Sequence, residues 1–262
     1  MVDHLTTGWE AELAVGDTTL RRYLFAMADR VAAMAQANGG RTRRDERVAM
    51  GDLDTPFVFD QAAVLLQPLP ADDLLAVVEE AQRFYGAHRG WLLLSAWPTP
   101  DLRPAGLGLM GHPPFMVRAP GPRRDSYGDS PDGIDIVEVT TPAQLADFEG
   151  TLMEAYPLPA ATGVVHPDLV GDLLHLFVAY DGSSPVAVAG ASLLHGITEI
   201  DWVGTLPVAR GRGIGAAVTW AATAVDPSQP AVLIASDPGR PVYERLGFVP
   251  ITRFTLWEHR SA

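Results

Sequence analysis

The segment that most constrains the fold runs from Thr198 to Ser236. It reads as an apolar strand (198–206), a turn with three glycines in six residues (Arg210-Gly211-Arg212-Gly213-Ile214-Gly215), an apolar helix to Val225 and a buried-looking strand (231–236). Strand, helix and strand in this order predict a parallel pair with a helical crossover. The turn between them aims several backbone N–H groups and the positive end of a helix dipole at one point, which suits a pyrophosphate. Glycines at 211, 213 and 215 permit positive φ and a close backbone approach to the ligand. Arg210 and Arg212 can add charge-assisted hydrogen bonds to phosphate. A plain tight turn needs one glycine rather than three flanked by two arginines.

Composition narrows the function classes. With 262 residues, 47% of them hydrophobic, the chain can bury one large core or two ordinary ones. A formal net charge of −13 argues against phosphate-backbone binding, so no nucleic-acid partner is expected, and a neutral or cationic ligand fits better. All 19 basic residues are arginine and there is no cysteine, which excludes a disulfide scaffold, thiolate chemistry and a zinc–thiolate site. His166, His175 and His195 lack metal-ligand spacing, and no metal is expected. The start, Met1-Val2-Asp3-His4, has no basic leader, and the longest apolar run (213–225) is too short to span a bilayer. No membrane contact and a cytoplasmic location are the expectation; a homodimer stays open.

Before that segment, Asp17 is the expected cap of a helix with Leu20, Tyr23, Leu24, Met27, Val31 and Met34 on one stripe, ended by Gly39-Gly40. Four arginines between 41 and 47 read as a solvated loop without a role. Then come a strand (57–66), a helix (72–85), a strand (91–97), a short irregular helix (101–110) and a strand (115–118). Breakers without periodicity between Pro120 and Pro131 read as a linker. Beyond it lie a strand (134–139) and a helix opened by the capping box Thr141-Pro142-Ala143-Gln144. Two strands (174–180 and 185–194) follow, joined by the hairpin turn Asp181-Gly182-Ser183-Ser184. After the 198–236 unit come a short helix (240–246) and a last strand (248–257).

Arg210-Gly211-Arg212-Gly213-Ile214-Gly215 matches the arginine/glutamine-x-x-glycine-x-glycine signature of the GNAT superfamily of coenzyme-A-dependent N-acyltransferases, and Pro241-Val242-Tyr243-Glu244-Arg245-Leu246-Gly247-Phe248 resembles that family's tyrosine-bearing segment. The resemblance spans Ile134 to Arg260. It implies acetyl-CoA as co-substrate, with its pyrophosphate on the backbone of Arg210, Gly211, Arg212, Gly213, Ile214, Gly215 and Ala216. It also implies pantetheine pairing to Leu206 and Val208, and a contact at Ser236, where the family more often has asparagine nearby. Pro207 cannot donate, and Gly204-Thr205 is the expected place for a bulge that splays the strand. Direct attack of an amine through a tetrahedral intermediate needs a base and an acid. Glu199 stands eleven residues before Arg210, the spacing of the base in the histone-acetylating branch, with Asp201 in reserve. The alternative for Glu199 is a carboxylate that solvates a sheet edge. The resemblance makes Tyr243 the general acid; the alternative is a packed ring with a wet hydroxyl.

The order of elements over 57–118 repeats that over 198–257. Its counterpart of the glycine turn, Gln67-Pro68-Leu69-Pro70-Ala71-Asp72-Asp73, has no glycine, and its two carboxylates already satisfy the helix dipole. The expectation is an α/β protein of the α+β type: mixed sheets flanked by helices, in two similar GNAT-like domains. The first (1–120) has lost its cofactor and shapes the substrate cleft; a linker (121–132) leads to the catalytic second (133–262). The expected acceptor is an amine of a small molecule or peptide. A non-catalytic acyl-CoA-binding regulatory module is the alternative. A plain dinucleotide fold is disfavoured, because the glycine turn comes late, after antiparallel strands, and no acidic ribose partner follows it.

Overall fold

The computed structural model describes residues 18–53, 58–86, 89–122, 125, 127–156 and 163–260. The expected cap Asp17, the strand start at Phe57 and linker positions 123, 124 and 126 lie outside the described residues. Helix α1 (Thr19–Ala37) opens on Thr18, whose hydroxyl accepts from the Arg21 N–H at 3.1 Å. Its buried face carries Tyr23, Leu24, Met27, Val31 and Met34, as the spacing predicts, together with Arg30.

Strands β1 (Arg41–Arg44) and β2 (Val48–Asp52) form an antiparallel hairpin where a solvated loop was expected. The arginines of β1 are exposed, yet they reach Asp52, Glu80 and Asp29, and the buried β2 beside them supplies the ladder. A 3₁₀ turn (Val58–Asp60) precedes β3 (Ala62–Leu65). Helix α2 (Ala71–Tyr85) then crosses to β4 (Trp91–Ser95), which lies parallel to β3. The short helix expected over 101–110 shrinks to a 3₁₀ turn (Arg103–Ala105), because Gly106 takes a left-handed conformation and ends it. Strands β5 (Gly108–Gly111) and β6 (Pro114–Arg118) follow.

The second half contributes β7 (Ile134–Glu138), α3 (Pro142–Ala155) behind the complete Thr141–Gln144 capping box, and the hairpin β8 (Leu174–Asp181) and β9 (Ser184–Leu194). Strand β10 (Ile197–Thr205), helix α4 (Ile214–Thr223) and strand β11 (Ala231–Ile234) are the expected parallel crossover, followed by α5 (Arg240–Arg245). The single last strand expected over 248–257 is instead two, β12 (Val249–Arg253) and β13 (Thr255–His259). The buried Phe254 separates them and donates its N–H to the Pro113 carbonyl at 3.0 Å.

These thirteen strands form two sheets, β1-β2-β3-β4-β13-β5 and β12-β6-β11-β10-β9-β8-β7. Each half places its final strand in the sheet of the other. β6 lies between β11 and β12, and β13 lies between β4 and β5, all four pairings antiparallel. A division of the chain at 121–132 therefore cuts through both sheets, each of which takes strands from both halves. The two crossings run side by side: Arg253 donates to the His112 carbonyl at 2.5 Å, and the Thr255 hydroxyl lies 3.3 Å from His112 Nδ1. Tyr23 of α1 packs its ring on Phe115 and Phe254 at this junction, with centroids 4.9 and 5.7 Å away. Helix α1 touches β2 and β3 on one side and β9 and β10 on the other, so one core spans both halves. Among the described residues, no helix is long and apolar enough to cross a membrane.

A fragment of residues 133–262 lacks β6 and α1, which leaves β11 and β12 without their common neighbour. It is expected to show no cooperative thermal transition by circular dichroism, whereas the full chain unfolds in one step. A sharp transition of the isolated fragment would show that the second sheet closes without the exchanged strand.

Candidate active site

The glycine turn closes the gap between β10 and α4. A 3₁₀ turn (Pro207–Ala209) ends the strand, Gly211 and Gly213 take φ of 77° and 82°, and Gly213 caps α4 without any side-chain hydrogen bond. The first-turn N–H groups of α4 thus lack a side-chain cap, the condition for an anion site. Gly215 is helical rather than left-handed, and its role differs from that expected: a Cβ there would come within 2.9 Å of Thr205 Oγ1, so it lets the helix approach β10. Arg210 is exposed and bonds the Thr205 carbonyl through Nε at 3.0 Å; Arg212 is tied to Asp181 at 2.6 Å. Ile214 and Ala216 bury their side chains beneath the turn.

The parallel pairing of β10 with β11 covers only Thr198–Ala231 and Glu199–Val232, while β10 runs on to Thr205. From 200 onward the strands splay. The bulge that opens them lies between Asp201 and Gly204, upstream of the expected Gly204-Thr205 pair. Trp202 holds φ at 52° there, and its N–H donates to the Asp201 carboxylate at 2.8 Å. Left-handed backbone at a bulky residue is costly and persists where the surroundings enforce it. Leu206 and Val208 do not border the splay as expected. Leu206 donates to the Val186 carbonyl and accepts from the Ala209 N–H, both at 2.9 Å, and Val208 sits exposed in the 3₁₀ turn. Residues 201–205 line the opening instead.

Glu199 and Asp201 are both close to this bulge, but only one faces the opening. Glu199 is 1% exposed and lines neither of the two clefts at the splay. The Arg30 guanidinium, 2% exposed, donates to both its oxygens at 3.3 Å, and the Ser192 hydroxyl donates at 3.2 Å. Burial pushes the Glu199 carboxyl above its ordinary value, with Arg30 opposing and Asp201 reinforcing the shift. Arg30 also donates to Asp201 at 2.9 Å, and the Asp201 side chain is 43% exposed. Asp201 is the carboxylate that reaches solvent from this cluster.

Two clefts meet at Asp201. One, of about 240 Å³, runs along the splay past Arg210, Ser236 and Tyr243; the other, of about 380 Å³, opens towards the first half past Tyr23, His112 and Trp202. Burial, aided by the Asp201 charge, pushes the Tyr243 hydroxyl far above its usual value, so it holds its proton at neutral pH. The Ser236 hydroxyl accepts from the Gly239 N–H at 3.2 Å, which caps the turn into α5 at the mouth of both clefts. The structure therefore brings Asp201, Tyr243, Ser236 and Arg210, the first residue of the glycine turn that leads into α4, to one opening, and leaves Glu199 behind it.

Residues 145–248 match the model of the acetyltransferase (GNAT) family. The chain carries a GNAT domain. A GCN5-related N-acetyltransferase from Kribbella flavida superposes with a TM-score of 0.65 at 21% identity, over 88% of this chain and 95% of that one. A GNAT-family structure from Novosphingobium aromaticivorans gives 0.62 at 18% identity, over 94% and 100%. A tandem GNAT protein from the clavulanic acid biosynthesis pathway gives 0.52 at 17% identity, over 95% and 97%. At these identities the likeness is one of fold, and it extends over both halves: two GNAT-like units in tandem. No curated protein matches the sequence. GNAT proteins are acetyltransferases that draw on acetyl-CoA, and the matched segment contains Glu199, Asp201, the glycine turn and Tyr243.

Sequence reasoning missed Arg30 and Tyr156. Arg30 carried a signal, since it falls with Met27, Val31 and Met34 on the apolar stripe of α1, and an arginine there needs a buried carboxylate. Tyr156 carried none; it ends α3, donates to the Val203 carbonyl at 3.1 Å and lines both clefts. Arg30→Ala strands a buried carboxylate and is expected to cost about 3–5 kcal/mol in urea unfolding. A loss below ~1 kcal/mol, the range of exposed ion pairs, would mean that the cluster is solvated in solution.

Proposed function

We propose that the chain is an acetyl-CoA-dependent N-acetyltransferase whose single cofactor site lies in the second half. The observation that carries this reading is a cleft lined by the splayed strand β10, Asp201, Tyr243 and Arg210, where Arg210 opens the glycine turn that leads into the uncapped N-terminus of α4. The residues present fit the cofactor. The N–H groups around Gly211, Gly213 and the first turn of α4, with Arg210 beside them, are suited to hold a pyrophosphate. The β10 edge at 201–205, beyond the reach of β11, offers backbone to an extended pantetheine. Bound acetyl-CoA supplies an activated acyl thioester.

The chain's own groups supply the proton chemistry. Asp201, carboxylate outward, takes a proton from the acceptor ammonium so that a neutral amine can attack. Arg30 and the bulge fix the orientation of that carboxylate, and Glu199 acts as its buried support rather than as the base. Tyr243 Oη keeps a proton for the departing sulfur. The first half lacks the matching features. α2 starts at Ala71 with Asp72 and Asp73 in its first turn, and β3 stays paired with β4 through Val64, one residue from its end. Its dipole is satisfied and no splay opens, which supports the reading of a half without cofactor.

Saturating acetyl-CoA, at 100 times the dissociation constant, is expected to raise stability by ~2.7 kcal/mol in a thermal-shift titration. Absence of any shift at millimolar ligand overturns the site. Asp201→Asn is expected to lower kcat by about 10²–10⁴-fold, in the range of a lost general base. Glu199→Gln is expected to lower it by less than about tenfold while reducing thermal stability. The reverse ranking would return the base to Glu199, and cofactor binding without turnover of any amine would favour a regulatory module.

A further inference from the structure

We infer that the acceptor is a small primary amine with an apolar body and no carboxylate or phosphate. The inference rests on the acyl-transfer reading of the cleft and concerns the second cavity, the one that faces the first half. At about 380 Å³ it lies at the small end of ligand clefts, which span roughly 300–1,000 Å³. It is closed on one side by Tyr23 and Met27 of α1 and by Met110 of β5, and on the other by Tyr156, Trp202 and Ile234. Both halves therefore build it, and the aromatic junction of the exchanged strands forms its back wall through Tyr23.

Its charges are of one sign. Among its described lining residues Asp201 and Asp237 are the carboxylates, His112 is the one titratable base, and there is no arginine. Asp237 faces solvent and lies 3.3 Å from Arg253; at the inner end Asp201 shares Arg30 with Glu199, so two carboxylates there meet one guanidinium. An ammonium can meet Asp201 where the two clefts join. A carboxylate or phosphate on the same small molecule would be desolvated against apolar walls and two carboxylates, with the neighbouring Arg30 and Arg253 already paired to those carboxylates. A second ammonium, as in a polyamine, would find only Asp237, already paired with Arg253, and several hydroxyls, as in an amino sugar, would lose water against methionine and aromatic side chains. The cavity selects by what its walls cannot satisfy.

The test compares phenethylamine with phenylalanine, spermidine, glucosamine and a triglycine peptide, on the full chain. Thiol release from acetyl-CoA gives kcat/KM, and thermal shift without acetyl-CoA gives binding. Phenethylamine is expected to exceed phenylalanine by about 100-fold in kcat/KM, and the other three by about tenfold or more. It should also raise the melting temperature of the cofactor-free protein, with no rise from phenylalanine. Turnover of phenylalanine, spermidine, glucosamine or triglycine at the same rate or better overturns the inference while leaving acetyl transfer intact. Selective binding of phenethylamine with no turnover of any amine overturns acetyl transfer and leaves the cavity assignment standing. Neither binding nor turnover of phenethylamine overturns the assignment. Met110→Arg, at a half-exposed wall position, places a cation in the cavity and should narrow the phenethylamine-to-phenylalanine ratio by about tenfold. An unchanged ratio would place the acceptor elsewhere.

Discussion

A single arginine holds the site in place. Arg30 comes from the first helix, is buried between the two sheets and binds two carboxylates of β10, 169 and 171 residues away. Its neighbour Asp29 accepts from His195 at 2.6 Å and pairs with Arg44, so consecutive residues of α1 grip the β9–β10 turn and the β10 bulge. Arg30 also stacks over the Trp202 ring, 5.3 Å from its centroid, at the residue with strained backbone. Burying a guanidinium is costly unless every direction of the charge is met, and here two carboxylates and a ring meet it. The cluster holds one more carboxylate than it has cations. Asp201 is the member that can shed this imbalance into the cleft, because it alone faces water.

The exchanged strands have the same consequence on a larger scale. A GNAT-like unit whose last strand belongs to the other sheet cannot close alone, since β11 and β12 meet only through β6. The reciprocal insertion of β13 between β4 and β5 ties the first sheet to the second in turn. The pivots, Gly111-His112-Pro113 and Phe254, run beside the cavity assigned to the acceptor, and three aromatic rings pack there. The shape of that cavity is thus set by the same contacts that hold the halves together. A change at the junction alters recognition and stability at once.

Local signals in the sequence were strong where local chemistry decides. The Thr141 capping box, the Asp181–Ser184 hairpin and the glycine turn each place an element from a few adjacent residues, and each lies where those residues put it. Long-range pairing was invisible by the same logic. The arginines of 41–44 look like solvated loop until β2 offers them a ladder, and nothing near Phe254 announces that one apolar run serves two sheets. At the site, period-two alternation correctly grouped Glu199 with Asp201, but a face says nothing of what covers it. α1 covers Glu199 and reaches Asp201 only through Arg30, and Asp201, at the edge of the bulge, keeps part of its carboxylate exposed.

The contrast between the halves shows how one topology serves two tasks. Both contain a parallel pair bridged by a helix, β3-α2-β4 and β10-α4-β11, and both receive a foreign strand beside the second member. In the second half the helix begins on left-handed glycine without a cap and the strands part after two paired positions. In the first the helix begins behind Pro70 with two aspartates in its opening turn, and the strands stay together almost to the end of β3. A ligand phosphate would compete there with fixed carboxylates, and no backbone edge opens to receive the rest of the molecule. Freed from that task, the first half can place α1 across the neighbouring sheet. Its surface then holds the Asp201 carboxylate from behind through Arg30 and closes one wall of the second cleft through Tyr23, Met27 and Met110.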